Sequence, residues 1–501
     1  MRQVINSQLE FGQVDISKIK FDPKSRDDIP KILRGLQHIY ITLEIREPIF
    51  ALLGKEIAPK VNKNNGRPGM ELWKILVLGV MRLDLNCDYD RIHELSNSHL
   101  TLRKMLGHSD FYDETEYNLQ TIKDNLVLLT PELLEQINTI VVNAGHELVK
   151  KKSVEPVLHG RCDSFVVETD VHYPTDTNLL FDAMRKVLQL SGDMCRHKDI
   201  SDLRQFQYNI RQIKGSLRVI QKVNRGARQT EASQYKVMKV HQDYIDLCTS
   251  QLFRVEQVIP ELEKNQLLST IDCLQIQEIM GYIVHAKRQI DQIERRIMHG
   301  EIIPHYEKVF SIFEPHTEWI SKGKAGVPVE LGIRVCILED HHQFILHHHV
   351  MEQETDDKVA VKMVKSGKVK FPNLQSVSFD KGFHSTDNQE KLKDIIEVVA
   401  LPRKGRLSQV AKETEKSEEF LKAHKKHSAV ESAINSLEVH GLDVCPDRGI
   451  NGFKRYVALA VVAHNIHRIG AILCVQEKDK QKLLAMKRLK AANAATAKLA
   501  A

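Results

Sequence analysis

Asp380 has the residue type and the position of a metal ligand. It directly follows an apolar run that ends at Phe379 and precedes Gly382, so the pattern places it at the carboxyl end of a β-strand, just before a turn. Metal ions and substrates bind in the crevice at that edge of α/β sheets. Because aspartate is also a common turn residue, Asp380 indicates a site only together with further ligands.

Glu431 is the second candidate ligand, and it is expected on a helix. Val430, Ile434 and Leu437 recur at helical spacing and form an apolar face, with Glu431 beside this face and His427 one turn earlier. A surface glutamate is the commoner explanation of such a position. Glu431 therefore also depends on its partners.

A third carboxylate is expected on the β-rich segment 162–171, where two aspartates are candidates. Alternation along the strand places Asp163 with Phe165 and Val167 on one face and Asp170 on the other. The residue pattern alone leaves Asp163 and Asp170 as alternatives.

Five β-rich segments predict the sheet that positions these carboxylates, so the predicted fold class is α/β or α+β with a mixed five-stranded sheet. The segments cover residues 162–171, 327–338, 344–350, 374–379 and 395–401. A long pattern of helical spacing at about 177–313 separates the first from the second and predicts a large helical insertion. Helices are expected again over 419–437 and 452–469.

The N-terminal part, residues 1–155, is predicted to form an all-helical domain. Thr130-Pro131 has the cap and first-turn residues of a helix that runs to about residue 150. Several short helices before a catalytic region would suit helix-turn-helix recognition of DNA. A generic helical bundle explains the same pattern nearly as well.

Basic residues are concentrated in one stretch, although the whole chain carries a net charge of only +6. Residues 196–240 contain eleven Lys and Arg against three Asp and Glu, and eleven minus three gives +8. Such a stretch suits a polyanion, because neutralising phosphates releases counterions. A solvated helix face is an equally good interpretation. The tail at 476–501 is also basic and rich in alanine.

Cysteine usage and hydropathy indicate a reduced, cytoplasmic setting. The eight cysteines are scattered without the spacing of a zinc knuckle or a redox dithiol. The start of the chain lacks the apolar core of a signal peptide, and no apolar stretch approaches the length of a membrane span.

The order of the acidic motifs resembles that of bacterial insertion-sequence DDE transposases, which have a ribonuclease-H-like catalytic core. Asp163-Ser164 is similar to the family's Asp-Ser/Thr pair, and the run from Asp380 to Phe383 is similar to its Asp-x-Gly-Tyr/Phe motif. Each motif is short, and their joint order carries the resemblance.

Further matches extend this resemblance over most of the chain. The helix of Glu431 is followed by Asn465 and Arg468, which is similar to the family's closing Asn-x-x-Arg. Gly66-Arg67-Pro68 and the helices after it resemble the family's N-terminal domain. His424, His427 and Glu438 stand where some relatives carry Tyr, Arg and Lys that contact the DNA end.

The resemblance implies a site, a reaction and a set of partners. Asp163, rather than Asp170, would be the first ligand, and Asp163, Asp380 and Glu431 would be the catalytic residues that bind two Mg²⁺ or Mn²⁺ ions. Two such ions, about 4 Å apart, activate the attacking oxygen and stabilise the leaving oxygen. The implied activity is metal-dependent DNA cleavage and strand transfer at the ends of an insertion sequence, by a homodimer on DNA in the bacterial cytoplasm, associated with the nucleoid.

The implied domain organisation has three parts. They are a helical DNA-binding domain at 1–155, a ribonuclease-H-like catalytic domain at 156–475 interrupted at about 177–313, and a basic tail at 476–501. Two rival functions stay open at this point. One is a metal-dependent nuclease on the same fold without strand transfer, and the other is a degenerate protein that only binds DNA ends.

Overall fold

The computed structural model describes residues 3–5, 12–57, 69–109, 113–150, 157–226, 230–263, 269–321, 328–405 and 409–499. The Gly66-Arg67-Pro68 motif lies outside these residues. Within them, the chain forms α-helices, β-strands and a π-helical segment at Glu438–Leu442, which we call the π segment.

The helices are α1 Ile29–Ile41, α2 Leu43–Ile57, α3 Leu72–Asp84, α4 Tyr89–Ser98, α5 Leu100–Met105, α6 Leu119–Leu126, α7 Pro131–Val149, α8 Asp176–His197, α9 Phe206–Arg225, α10 Glu231–Glu263, α11 Thr270–Met298, α12 Asp356–Lys370, α13 Thr386–Lys393, α14 Gln409–Glu415, α15 Glu418–His427, α16 Val430–Leu437 and α17 Gly449–Leu499. The strands are β1 Leu158–Thr169, β2 Glu318–Ser321, β3 Val329–Asp340, β4 Ile345–Met351, β5 Leu374–Phe379, β6 Val398–Ala400 and β7 Val444–Cys445.

The chain divides into two compact units. The first, the sheet unit, comprises Met1–Asp170 and Ile320–Ala501, and the second, the helical unit, comprises Val171–Trp319. The N-terminal helices belong to the sheet unit, where α1, α3 and α7 all pack against α17. That they form a separate DNA-binding domain stays a prediction.

A mixed sheet with β1 near its centre forms the core of the sheet unit. β1 pairs with β3 in antiparallel register, and with β5 and β7 in parallel register. β4 continues the antiparallel side next to β3, and β6 continues the parallel side next to β5. β5 ends beside Cys162, in the middle of β1, whereas β7 pairs with the carboxyl end of β1 at Glu168 and Thr169.

All five predicted strands are present, but the predicted number of strands is wrong, because the sheet has seven. The two additional strands, β2 and β7, are only four and two residues long. Strands this short carry too few side chains to give an alternating pattern.

The helical unit covers the predicted helical stretch at about 177–313, but its last long helix, α11, already ends at Met298. It contains α8 to α11, whose apolar faces bury residues such as Leu180, Ile245 and Ile283. The helices begin where the cap residues predict: the hydroxyl of Thr175 accepts a hydrogen bond from the N–H of Asn178 at the start of α8. In the sheet unit, Thr130 caps α7 in the same way.

The helix predicted over 419–437 is two helices, α15 and α16, separated by a turn at Ser428 and Ala429. The helix predicted over 452–469 is part of the much longer α17. By length and composition alone, α17 would be able to cross a membrane, yet most of its apolar window is buried. Packing against α1, α3 and α7 accounts for its apolar character.

Candidate active site

Two of the predicted acidic ligands lie at matching positions on neighbouring parallel strands. The last register pair between β1 and β5 joins Cys162 to Phe379, and Asp163 and Asp380 are the next residues on each chain segment. Because adjacent strands are about 4.8 Å apart, the backbones of these two aspartates lie side by side. The strand pairing thus places two of the candidate aspartates next to each other.

Asp163 is in a strongly acidic environment. Burial, together with the negative charges of Asp380, Asp356 and Glu431, raises the pKa of its carboxyl to about 6. The hydrogen bond that Asp163 accepts from the N–H of Ser164, at 2.8 Å, acts in the opposite direction. Asp163 therefore senses both of its predicted partners and one acid that the sequence analysis missed.

The missed acid is Asp356, the first residue of α12. Its Oδ1 accepts a hydrogen bond of 2.6 Å from the hydroxyl of Ser164, the residue next to Asp163. In the sequence, Asp356 follows Thr355 at the start of an amphipathic pattern, where an acid is expected for the helix N-terminus alone. No signal in the sequence separates it from an ordinary first-turn residue.

Gly382 explains why a glycine follows Asp380 so closely. A Cβ atom at position 382 would lie 2.9 Å from Oδ2 of Asp356, closer than side chains normally approach. Glycine thus leaves the space that the Asp356 carboxylate occupies. We call Asp163, Asp356, Asp380 and Glu431 the carboxylate site.

Glu431 enters the carboxylate site from α16. It lies in the first turn of that helix and is exposed, while its neighbours Val430 and Ala433 are buried. α16 packs against β1, and this contact brings the charge of Glu431 within electrostatic range of Asp163.

His427 lies on the opposite flank, at the end of α15. Its Nδ1 is 3.1 Å from the hydroxyl oxygen of Ser378, two residues before Asp380. Burial lowers the pKa of His427 to about 4, although the charge of Asp380 raises it. The imidazole is therefore neutral near pH 7 and offers a hydrogen-bonding group rather than a cation.

Asp170 lies apart from this group. It is exposed and follows the end of β1, seven residues beyond Asp163 on the same strand. At about 3.3 Å per residue, that is more than 20 Å along the strand. Asp163, not Asp170, lies within electrostatic range of the other acids.

The four carboxylates are spread rather than packed around one point. Among the described residues, no three of them bring their oxygens within 4.8 Å of one another. Three carboxylates that bind one ion would need oxygens this close to one another. Two ions about 4 Å apart need ligand oxygens that are spread over a larger distance.

A second feature with chemistry lies in the helical unit, on α9. Its five basic residues recur three or four positions apart and are all exposed, while Ile213, Leu217 and Ile220 are buried on the other face. We call these residues the α9 stripe: Arg211, Lys214, Arg218, Lys222 and Arg225. α9 contains no acidic residue, and within the described part of the chain none of the five forms an ion pair.

In comparisons with known proteins, no family model, no curated protein and no solved structure matches this chain. The functional argument therefore depends on the residues and their geometry.

Proposed function

We propose that this protein is a DDE transposase that cuts DNA at the ends of an insertion sequence and joins the freed 3′ ends to a target. The observation that carries the proposal is the side-by-side placement of Asp163 and Asp380 on two parallel strands, with the charge of Glu431 acting on Asp163. This is the arrangement that the resemblance implies for a ribonuclease-H-like core. The mixed sheet around β1 supports the same core.

The donor set fits Mg²⁺ or Mn²⁺. All four side chains offer hard carboxylate oxygens, the ligands that these ions prefer. Burial and like charges hold the pKa of Asp163 at about 6, so a bound cation would relieve repulsion that the protein alone does not neutralise. Asp163, Asp380 and Glu431 would hold the metal ions. Asp356 would accept the hydrogen bond from Ser164 and add a fourth negative charge beside them.

Bound metal ions would supply Lewis acidity to a phosphodiester and lower the pKa of a bound water or 3′-hydroxyl. The residues of the chain then position the reaction. Asp163 is fixed by the N–H of Ser164, and Asp356 by the hydroxyl of the same serine. A neutral His427 beside Asp380 can donate or accept a hydrogen bond without competing as a cation for the carboxylates.

The α9 stripe is the proposed contact for the DNA backbone. Cations on one helix face, without neighbouring acids, match the spacing of a row of phosphates better than a mixed surface does. Binding through this face is expected to weaken steeply with salt, because each neutralised phosphate releases counterions. We further propose action as a homodimer in the bacterial cytoplasm, since two DNA ends are processed together.

The test uses purified protein, Mn²⁺ and a labelled DNA fragment that contains an end of the element. The wild type is expected to nick the end and to join it to added target DNA, whereas Asp380→Asn is expected to bind the end and leave it uncut. Asp387→Asn is a matched control, because Asp387 is an exposed aspartate on α13 that pairs with Lys391 outside the site. The control should cut like the wild type.

Three outcomes separate the proposed function from its rivals. Cutting followed by joining supports transposition, and cutting without joining supports a nuclease on the same fold. End binding without either reaction, in the wild type, would leave only a DNA-end-binding protein. If Asp380→Asn cuts as well as Asp387→Asn does, the carboxylate site is not the active site.

A further inference from the structure

A second group of metal-ligating side chains lies in the sheet unit, apart from the carboxylate site. Asp84 is the last residue of α3, His440 belongs to the π segment, and His467 lies on α17. One potential ligand atom of each lies within 4.8 Å of the other two. Within the described part of the chain, no other three residues of ligand type meet this condition. We call this group the Asp84 cluster.

The carboxylate of Asp84 is buried and only half satisfied. Its side chain is 0% exposed, and its Oδ1 lies 2.8 Å from Nδ1 of His467. Its Oδ2 has no hydrogen-bond partner among the described residues. Because a buried carboxylate oxygen without a partner is costly, this oxygen points to a ligand that the side chains do not supply.

The His440 imidazole is oriented as metal-bound histidines usually are, and Asp28 lies near the His467 imidazole. Nδ1 of His440 faces the main-chain oxygen of Asp84, so Nδ1 carries the proton and the lone pair of Nε2 is free. On His467, Nδ1 faces Asp84, while Nε2 lies 3.8 Å from Oδ1 of Asp28. Histidine ligands typically donate their other N–H to a carbonyl or a carboxylate, as His440 does here.

The surroundings supply negative charge and access. Asp28 is a neighbouring carboxylate, and its Oδ1 lies 2.6 Å from Nζ of Lys31 and 3.8 Å from Nε2 of His467. A cavity of about 380 Å³ is lined by Asp28, Asp84 and His440, among other residues. An ion can therefore approach the cluster from solvent.

We propose that Asp84, His440 and His467 bind one divalent transition-metal ion of the zinc type. Two imidazoles and one carboxylate suit Zn²⁺ and its neighbours, whereas Mg²⁺ prefers oxygen ligands. Metal–ligand bonds of about 2.1 Å place tetrahedral ligands roughly 3.4 Å apart, a spacing that small side-chain shifts reach from the observed one. Three protein ligands leave a fourth tetrahedral position for water.

The bound ion fastens three segments that are distant in sequence. It joins the end of α3 to α17 and to the π segment, which directly follows α16. The contribution is structural, and it does not depend on the proposed DNA chemistry.

The experiment measures zinc binding to the full chain, purified without a histidine tag and stripped with a chelator. The protein is dialysed against low free Zn²⁺ in excess Mg²⁺, and the bound zinc is counted by elemental analysis. The wild type is expected to retain one zinc per chain. His440→Ala and His467→Ala are expected to bind it at least about 100-fold more weakly, and His299→Ala, which removes an exposed histidine of the helical unit, should retain it.

Two further variants keep the test decisive if an alanine variant fails to fold. Asp84→Asn preserves shape but removes the ligand charge, and it should lose the zinc. Asp28→Asn keeps all three ligands and should weaken binding about tenfold. Zinc should also raise the Tm of the wild type by mass action and leave the Tm of Asp84→Asn unchanged.

The proposal is overturned if the wild type retains no zinc, or if folded Asp84→Asn and His467→Ala retain as much as the wild type does. Asp380→Asn serves as the second reference. It should keep its zinc whether or not the protein cuts DNA, so failure of the zinc proposal and failure of the proposed function remain distinguishable.

Discussion

The carboxylate site and the Asp84 cluster each contain a buried carboxylate, but the groups that surround the carboxylate differ. At the carboxylate site, burial and three like charges raise the pKa of Asp163 to about 6. In the Asp84 cluster, one buried carboxylate lies beside two imidazoles, and its Oδ1 is 2.8 Å from Nδ1 of His467. The first arrangement gathers like charges, whereas the second places one acid beside two groups that are not acidic. A group of carboxylates that repel one another lowers the stability of the fold. Such a group therefore indicates a functional site rather than a structural one.

The largest expected effect comes from Glu431→Gln, which removes a ligand charge from the carboxylate site. Since a catalytic metal contributes several kcal/mol to transition-state stabilisation, we expect Mn²⁺-dependent cleavage to fall about 10³-fold. End binding and zinc content should not change. The measurement is single-turnover cleavage, with Glu419→Gln on the exposed face of α15 as control. Equal rates for the two variants would remove Glu431 from the site.

Asp447→Ala tests a buried carboxylate whose role is structural alone. Asp447 pairs with Arg82 at 2.8 Å and with Arg455 at 3.0 Å, and the side chain of Arg82 is only 2% exposed. Loss of the partner leaves a buried cation, so the free energy of unfolding should fall by about 3–5 kcal/mol.

Urea unfolding measures this loss, and zinc binding should persist in the folded protein. Asp479→Ala, at an exposed pair with Lys482, should change stability by less than about 1 kcal/mol. If Asp447→Ala costs no more than this control, the Arg82 pair is not the buried link between α3 and the segment before α17.

Asp163→Asn should stabilise the metal-free protein near neutral pH. The folded-state pKa of about 6 lies above the ordinary value of 3.8, so the protonated acid favours folding and this contribution is lost as pH rises through about 6. Asparagine removes the repulsion, and we expect a gain on the order of 2 kcal/mol at pH 7.5 in chelator.

The measurement is Tm against pH. The wild type should lose stability between about pH 4 and 7 relative to Asp163→Asn, and the two curves should meet in acid. Added Mn²⁺ should reverse the order at pH 7.5, because only the wild type binds the ion fully. A parallel pair of curves would contradict the like-charge interpretation of the carboxylate site.

Gly382→Ala has the smallest expected effect. The new Cβ would push the Asp356 carboxylate by a few tenths of an ångström and weaken its hydrogen bond to Ser164. A loss of about 1 kcal/mol corresponds to roughly fivefold slower cleavage. Gly281→Ala is the control, because a Cβ at that position has no neighbour within 4 Å. Equal cleavage rates for the two variants would show that the position of the Asp356 carboxylate does not affect the reaction.

The sequence predicts the carboxylate site better than the Asp84 cluster for a physical reason. Asp163 lies within a strand and Asp380 directly after one. The alternation of a strand and the turn after it are local patterns that can be read from the sequence. Asp356 gives no such signal, since an acid in a first helical turn is ordinary. Its role depends on the contact of α12 with Ser164, which only the fold supplies.

The Asp84 cluster is invisible in sequence because its members share no element. Asp84 ends an apolar helix, and His467 lies in another, where a histidine is more often a packed core residue than a ligand. The turn that positions His440 depends on a left-handed backbone at Gly441, whose φ is +105°. The short strands β2 and β7 were missed for a related reason: long-range pairing, rather than local preference, holds them in the sheet.

The crossing of α1 and α17 has a consequence for the order in which this chain can fold. A Cβ at Gly35 would lie 2.2 Å from the main-chain oxygen of Ile466, and one at Gly470 would lie 1.8 Å from that of Lys31. The two backbones are therefore in direct contact. α1 can pack in its final position only after a segment more than four hundred residues later has left the ribosome. The helical unit is continuous in the chain and can fold during synthesis. The sheet unit can be completed only after its C-terminal helix has been made, so the apolar faces of its N-terminal helices stay exposed to solvent until then. Chaperones are most needed at that stage.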